Sequence, residues 1–232
     1  DQRHIGAAPR HPSAISTTTV RERDDTHPRR LARPNMPSGI EDRLTEHTLE
    51  SRLAFEGSFL RLYVDKVRSA DGHVGTREYL RHPGAVMVIP LLADGHVVLE
   101  RQFRHPLKRT VIEFPAGKID AGETALTCGQ RELLEETGYC AGKWSYLGGL
   151  HNAIAYSDEK IEIFLAEELT HEGATLDDGE TLEVFTTPWQ QLLQWVREGT
   201  VTDVKTMVGA MWLEKVIAGE WERRADAPSR DP

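Results

Sequence analysis

Hydrophobic and polar residues begin to alternate near Thr48, and three alternating runs follow before residue 81. Each run fits a half-buried β-strand. The segments Glu56-Gly57-Ser58 and Asp71-Gly72 separate the runs, and glycine at such positions is typical of β-hairpin turns. The pattern therefore predicts a small antiparallel meander within residues 40–82. A sheet of this size buries too little to hold a core alone, so we expect it to pack on the main domain or on a second copy.

A longer series of strands and helices follows over residues 83–220. Residues 85–92 form a continuous apolar run, which predicts a strand buried on both faces. Shorter runs predict further strands at residues 96–103, 111–114, 144–150, 160–166 and 182–185. Two stretches predict helices, at residues 189–197 and 204–217. Mixed strands with helices of this kind predict an α+β fold, arranged as an α/β/α sandwich with the N-terminal antiparallel β appendage.

Both ends of the chain are predicted to lie outside the folded part. Residues 1–39 are rich in Arg, Pro, His, Ser and Thr and show no regular period, so they cannot bury enough apolar surface to fold. We expect a disordered tail there, either a segment ahead of a natural start near Met36 or a functional arm. Residues 221–232 are predicted to form a C-terminal tail.

The charge and composition of the chain argue against several classes of function. A formal net charge of -9 over 232 residues argues against general nucleic-acid binding, which normally needs a basic surface. The sequence has neither an apolar run of membrane-spanning length nor a signal-peptide pattern. Its two cysteines make no disulfide framework, and its histidines show no zinc-binding spacing. These properties predict a cytoplasmic protein with no nucleic-acid or membrane partner.

The stretch Gly117–Tyr139 is the most informative part of the sequence. Its glycines first predict a loop. Thr124 then predicts the N-cap of a helix that runs to about Thr137, and Gly138 supplies a left-handed C-terminal stop. The helix is therefore bounded by local signals at both ends.

Three carboxylates crowd one side of this predicted helix, because Glu132, Glu135 and Glu136 are spaced three and four residues apart. Like charges at this spacing cost about 0.2–0.5 kcal/mol per pair. Glu135 and Glu136 also lie in the last turn, where the helix dipole prefers cations. A solvated charged face is the simplest explanation. A bound divalent cation is the alternative, because it would make both the repulsion between the carboxylates and their interaction with the helix dipole favourable. Magnesium takes carboxylate and carbonyl oxygens as ligands.

The spacing of these residues resembles the Nudix box of the Nudix hydrolases. The matching positions are Gly117, Glu123, Arg131-Glu132-Leu133, Glu135-Glu136 and Gly138. The next residue, Tyr139, departs from the box, where the family usually has Ile, Leu or Val. The resemblance implies an α/β/α fold and a hydrolase that uses Mg²⁺, with Mn²⁺ as a possible substitute.

The same resemblance implies roles for individual residues. Glu132 and Glu136 are expected to bind the metal directly, with the carbonyl of Ala116 as a backbone ligand. Glu135 is expected to bind a further ion or to serve catalysis. Arg131 is grouped with the catalytic residues in an orienting role, because it can pair with Glu123 and hold the loop against the helix. Gly117, Glu123 and Gly138 are structural in the motif.

Outside the box the sequence resembles the ADP-ribose pyrophosphatase branch of the family. The resemblance rests on residues 100–104 and 111–117, and on Tyr156-Ser157-Asp158-Glu159. It implies that Arg104 faces the diphosphate, that Glu113 lies near the terminal ribose, and that Glu159 is the catalytic base. The simpler alternatives are a solvated strand-end charge for Arg104 and an ordinary loop charge for Glu159.

Membership of this branch implies a reaction and an assembly. The reaction is the hydrolysis of ADP-ribose to AMP and ribose 5-phosphate. The assembly is a homodimer through residues 50–80, with Phe55 or Tyr63 stacking on the adenine. One departure concerns the loop before Tyr156, where Ala153-Ile154-Ala155 replaces a Ser-Pro-Gly context.

Two other functions stay open from the sequence. GDP-mannose or another nucleoside diphosphate sugar is the nearest rival substrate, because it presents the same diphosphate group. A ligand sensor that has kept the fold and lost the chemistry is the rival from a different class, although all the box glutamates are present.

Overall fold

The structure is a computed structural model, and it describes residues 43–174 and 181–224. The predicted tail at residues 1–39 lies outside the described residues, as does most of the predicted tail at 221–232. No helix among the described residues is long and apolar enough to cross a membrane.

Ten strands and three α-helices make up the described chain. The strands are β1 (His47–Glu56), β2 (Arg61–Arg68), β3 (Val74–Arg81), β4 (Ala85–Pro90), β5 (His96–Arg104), β6 (Arg109–Glu113), β7 (Ala116–Lys118), β8 (Tyr139–His151), β9 (Lys160–His171) and β10 (Leu182–Pro188). The helices are α1 (Ala125–Thr137), α2 (Trp189–Glu198) and α3 (Val204–Ile217), and a short 3₁₀ turn spans His105–Leu107.

Within the described ranges the strands form three sheets. The N-terminal meander has the order β1-β2-β3 and is antiparallel throughout. A second sheet has the order β10-β5-β6 and is also antiparallel. The third has the order β7-β4-β9-β8, in which β4 and β9 run parallel.

The mixed sheet lies between two helical layers, and strand β4 shows how. Val86 and Val88 on one face join a core cluster with α1 residues such as Leu133. Met87 and Ile89 on the other face join a second cluster that contains residues of α2 and α3. All six residues of β4 are buried, as its unbroken apolar run predicted. The predicted α/β/α sandwich is therefore confirmed.

Three strands differ clearly from the sequence prediction. Residues 116–118, predicted to be part of the glycine-containing loop, form strand β7, which pairs with β4 through Gly117 opposite Val86. Strands β8 and β9 are each longer than predicted and pair from Tyr139–His171 to His151–Lys160. Apolar alternation marks only the part of a strand that faces the core, whereas ladder hydrogen bonds continue beyond it.

Candidate active site

Helix α1 begins and ends where its capping residues predicted. The hydroxyl of Thr124 accepts a hydrogen bond from Thr127 N at 3.1 Å, which satisfies one of the free N–H groups of the first turn. Gly138 ends the helix with a φ of 73°, and its N–H donates to Leu134 O at 2.8 Å. The direction in which the box glutamates project is thereby fixed.

Strand β7 passes directly against the carboxylate of Glu132. A Cβ atom added to Gly117 would overlap the carboxylate of Glu132, far inside van der Waals contact. Glycine at this position therefore leaves room for the Glu132 carboxylate against the backbone of β7, and any larger residue would displace that carboxylate.

Arg131 donates hydrogen bonds to three carboxylates of the box. Its Nε and Nη2 atoms donate to Glu123, each at 3.1 Å. Its Nη1 atom donates to Glu132 Oε1 at 2.8 Å and to Glu135 Oε2 at 3.0 Å. Nη2 also donates to Lys118 O at 3.3 Å, which ties β7 to the helix. Hydrogen bonding to Glu123 above all raises the pKa of the Arg131 guanidinium, and it lowers the pKa of Glu123 in return.

Glu136 is the most buried of the three glutamates, with 4% of its surface exposed. Its Oε2 atom accepts a hydrogen bond from Ala116 N at 3.0 Å. The carboxylates of Glu132 and Glu136 thus both lie against the backbone of β7, at Gly117 and Ala116 respectively.

The carboxylate oxygens of Glu132 and Glu136 suit a hard divalent cation that also contacts the substrate. Among the described residues, no three Asp, Glu, His or Cys side chains converge on one point. Magnesium, however, is commonly held by one or two carboxylates and completes its shell with waters and substrate phosphates. Glu132 and Glu136 supply two such carboxylates beside the same stretch of β7 backbone.

A second group of charged residues forms around Glu113. Arg104 binds both oxygens of this buried carboxylate, through Nε at 2.6 Å and Nη2 at 2.8 Å, and Lys205 Nζ donates to Oε2 as well. Burial by itself would raise the pKa of Glu113, but the hydrogen bonds from Arg104 and the charge of Lys205 outweigh it and lower the pKa to about 2. Glu113 is therefore ionised at neutral pH.

Glu159 is positioned by the loop that follows β8. Its Oε2 atom accepts a hydrogen bond from Asn152 Nδ2 at 3.1 Å, and His82 Nε2 lies 3.7 Å from Oε1. The loop is also bonded to the end of β3, because Leu80 N donates to Tyr156 O at 2.9 Å. The segment with Ala153-Ile154-Ala155 is thus held by backbone contacts that need neither proline nor glycine.

One cavity of about 1090 Å³ brings the two groups and Glu159 together. The predicted site residues that line it are Arg104, Glu113, Ala116, Gly117, Glu132, Glu136 and Glu159. Glu123 and Glu135 each accept hydrogen bonds from Arg131, and these three residues are not among its described lining residues. Five carboxylates and three cationic side chains line the cavity, so a diphosphate would meet a surface with excess negative charge.

Sequence reasoning missed the lining residues Lys205 and Asp203. Both lie at the start of α3, where the apolar pattern indicated only a core helix. The useful signal was the Asp-x-x-Thr spacing of an N-cap at Asp203, whose carboxylate accepts from Thr206 N at 3.0 Å.

Two aromatic residues that the sequence analysis did not name line the cavity of the single chain. Phe59 and Phe103 line it, whereas Phe55 and Tyr63 are not among its described lining residues. Tyr63 stacks on Tyr79 at 5.8 Å between ring centroids.

Comparison with known proteins gives two family matches. Residues 81–205 match the NUDIX domain. Residues 46–80 match the nucleoside diphosphate sugar hydrolase N-terminal domain. The second match covers most of the β1-β2-β3 meander, so the appendage and the main domain are both recognised.

Individual proteins agree with these matches. An ADP-ribose pyrophosphatase from Bacillus subtilis (strain 168) is 37% identical over 173 residues, which are 74% of this chain and 94% of that protein. A methanol dehydrogenase activator from Bacillus methanolicus is 33% identical over 171 residues, 73% of this chain and 92% of that protein. The crystal structure of an ADP compounds hydrolase has the same fold, with a TM-score of 0.70 over 76% of this chain and 97% of that chain at 22% identity.

Proposed function

The chain belongs to the Nudix hydrolase family, and we propose that it hydrolyses the diphosphate bond of a nucleoside diphosphate sugar, with ADP-ribose as the preferred substrate. The products are then AMP and ribose 5-phosphate. The similarity to the Bacillus subtilis ADP-ribose pyrophosphatase extends over 94% of that protein and supports this choice. The family membership and the intact box favour an enzyme over a non-catalytic sensor.

The observation that carries the proposal is the shared cavity. Glu132 and Glu136 of α1 line it together with Arg104 of β5 and Glu113 of β6. A diphosphate needs cationic groups to balance its charge, and a terminal ribose offers hydroxyl donors that suit a carboxylate. In this arrangement Arg104 binds the diphosphate and Glu113 lies near the terminal ribose.

Nudix hydrolases generally need a divalent metal, and we propose Mg²⁺ here, with Mn²⁺ as a substitute. Glu132, Glu136 and the carbonyl of Ala116 hold it, and Glu135 supports the site or binds a further ion. Bound metal neutralises phosphate charge and lowers the pKa of a coordinated water. Arg131 and Glu123 orient the glutamates, as their hydrogen bonds suggest.

Glu159 is the proposed general base. Its side chain lines the cavity, Asn152 donates to one carboxylate oxygen, and His82 lies near the other. A base held this way can accept a proton from an attacking water within hydrogen-bond reach.

A homodimer through residues 50–80 is the proposed assembly. Strand β1 is an edge strand with exposed apolar side chains, among them Leu49, Leu53 and Phe55. Such a patch is expected to be covered by a partner. We expect Phe55→Asp to give a monomer by light scattering, whereas Met211→Asp, at an exposed apolar site on α3, should leave the dimer intact.

Product analysis tests the reaction directly. ADP-ribose, GDP-mannose, ADP-glucose and NADH are each incubated with the protein and Mg²⁺, and the nucleotide released is identified by chromatography. A clear preference for ADP-ribose with release of AMP supports the proposal. A preference for GDP-mannose would show that this sugar nucleotide is the substrate instead of ADP-ribose. If none of the four compounds is hydrolysed with Mg²⁺ or Mn²⁺, the proposed function is overturned.

A further inference from the structure

Glu113 is shared by two cations whose surroundings differ. The Arg104 side chain is 41% exposed and faces the cavity, whereas the Lys205 side chain is 11% exposed and the Glu113 carboxylate 2%. Both cations bind Oε2 of Glu113, and Arg104 binds Oε1 as well. One cation is therefore free to reach into the cavity, and the other is part of its wall.

The first turn of α3 fixes Lys205 in place. Asp203 Oδ2 accepts from Lys205 Nζ and from Thr206 N, each at 3.0 Å. The buried hydroxyl of Thr206 in turn accepts from Phe114 N at 3.0 Å, and Phe114 directly follows Glu113. Two adjacent residues of α3 thus bind Glu113 and the next residue, Phe114, and Asp203 holds the ammonium group beside Glu113.

A buried carboxylate that loses its cation is strongly destabilised. If Arg104 were its sole partner, turning the guanidinium toward a diphosphate would leave Glu113 uncompensated. The second cation removes this obstacle, because Lys205 keeps its hydrogen bond to Glu113 whichever way Arg104 turns.

We propose that Lys205 is a positioning residue that keeps Glu113 paired and so releases the Arg104 guanidinium to bind the substrate diphosphate. This inference rests on the proposed function and concerns how the same site binds the diphosphate of its substrate. Arg104 would bind the diphosphate equally in the ground state and in the transition state. If Arg104 stays bound to Glu113, substrate binding is therefore weakened and kcat is unchanged.

The test compares Lys205→Met and Lys205→Arg in the full chain, with ADP-ribose and Mg²⁺. We expect Lys205→Met to raise KM about 10-fold or more while kcat stays within about 3-fold, the pattern of lost uniform binding. Lys205→Arg restores a cation and should return KM to within about 3-fold of the wild-type value. Lys215→Met removes a surface lysine of the same helix and is the matched control.

A double variant separates this role from simple support of the fold. Glu113→Gln removes the charge that retains Arg104, so adding Lys205→Met to it should raise KM no further. Additive effects on KM would overturn the inference. An unchanged KM in Lys205→Met would also overturn it. So would a fall in both kcat and melting temperature that Lys205→Arg does not reverse.

Calorimetric titration with ADP keeps the two hypotheses apart. Lys205→Met should weaken ADP binding about 10-fold relative to the wild type, and this measurement needs no turnover. A wild-type protein that binds ADP but hydrolyses no sugar nucleotide would overturn the proposed function and leave the role of Lys205 to be decided by ADP affinity. Equal affinity of the wild type and Lys205→Met would overturn the role of Lys205.

Discussion

The carboxylate of Glu132 occupies the space in which a Cβ atom of Gly117 would lie. This relationship joins a residue on strand β7 to one on helix α1, and it explains in steric terms why the box begins with a glycine. Because the overlapping group is the end of a flexible side chain, a larger residue at position 117 would displace the carboxylate and leave the backbone largely in place.

Gly117→Ala should therefore reduce activity far more than stability. We expect kcat/KM to fall about 100-fold, since a shift of about 1 Å in a catalytic group can have that effect. Steady-state kinetics and thermal melting give the two quantities. Gly75→Ala is the control, because a Cβ there would meet only ordinary contacts such as Arg77 Nη1 at 3.4 Å. A large fall in melting temperature with Gly117→Ala would contradict this explanation.

Glu159→Gln tests the proposed base. The amide keeps the size of the side chain and removes the proton acceptor, so kcat should fall by about 10²–10⁴-fold while ADP binding stays within about 3-fold. Glu167→Gln, in a surface ion pair with Lys143, should leave kcat unchanged. An active Glu159→Gln enzyme would show that another group accepts the proton.

Arg131→Lys tests the hydrogen bonds that Arg131 donates to the carboxylates of the box. A lysine keeps the charge but cannot bind Glu123, Glu132 and Glu135 together, because it lacks the planar fork of the guanidinium. We expect a loss of about 1–3 kcal/mol in the free energy of unfolding, measured in urea, and a fall in kcat of about 10–100-fold. Arg101→Lys, at an exposed pair with Glu183, should change stability by less than about 1 kcal/mol.

The low pKa of Glu113 predicts a pH-dependent contribution to stability. Its pKa is about 2 in the folded chain against an ordinary value of 4.5, so between these values the unfolded chain binds more protons. The contribution is thus fully present above pH 4.5 and is lost as the pH falls toward 2. Urea unfolding of the wild type and of Glu113→Gln should show a gap in free energy that narrows below pH 4.5. A gap that stays constant on acidification would contradict the predicted pairing.

The two cysteines should differ in reactivity. Cys128 is buried, and burial together with the charges of Glu123 and Glu132 raises the pKa of its thiol to about 12. Cys140 is only half-buried. Iodoacetamide at pH 8 should therefore label Cys140 well before Cys128 in the native protein, and both should react in denaturant. Peptide mass analysis distinguishes them, and rapid native labelling of Cys128 would contradict its buried position.

The sequence by itself determined the elements whose signals are local. Thr124 and Gly138 bound helix α1 because capping depends on residues within one turn. The unbroken apolar run of β4 fixed its burial on both faces, and the bounds of α3, Val204–Ile217, agree with the prediction. The placement of Glu132 and Glu136 beside each other follows from the helical period alone.

Only the tertiary structure decided which distant residues meet. Lys205 and Glu113 are 92 positions apart, and no periodicity connects them; α3 brings them together because its buried face packs on the mixed sheet. Strand β7 forms because β4 provides backbone hydrogen-bond partners, and for this reason residues predicted to be a loop are a strand in the structure. Local patterns record which residues must be buried, whereas long-range contacts depend on how whole elements pack.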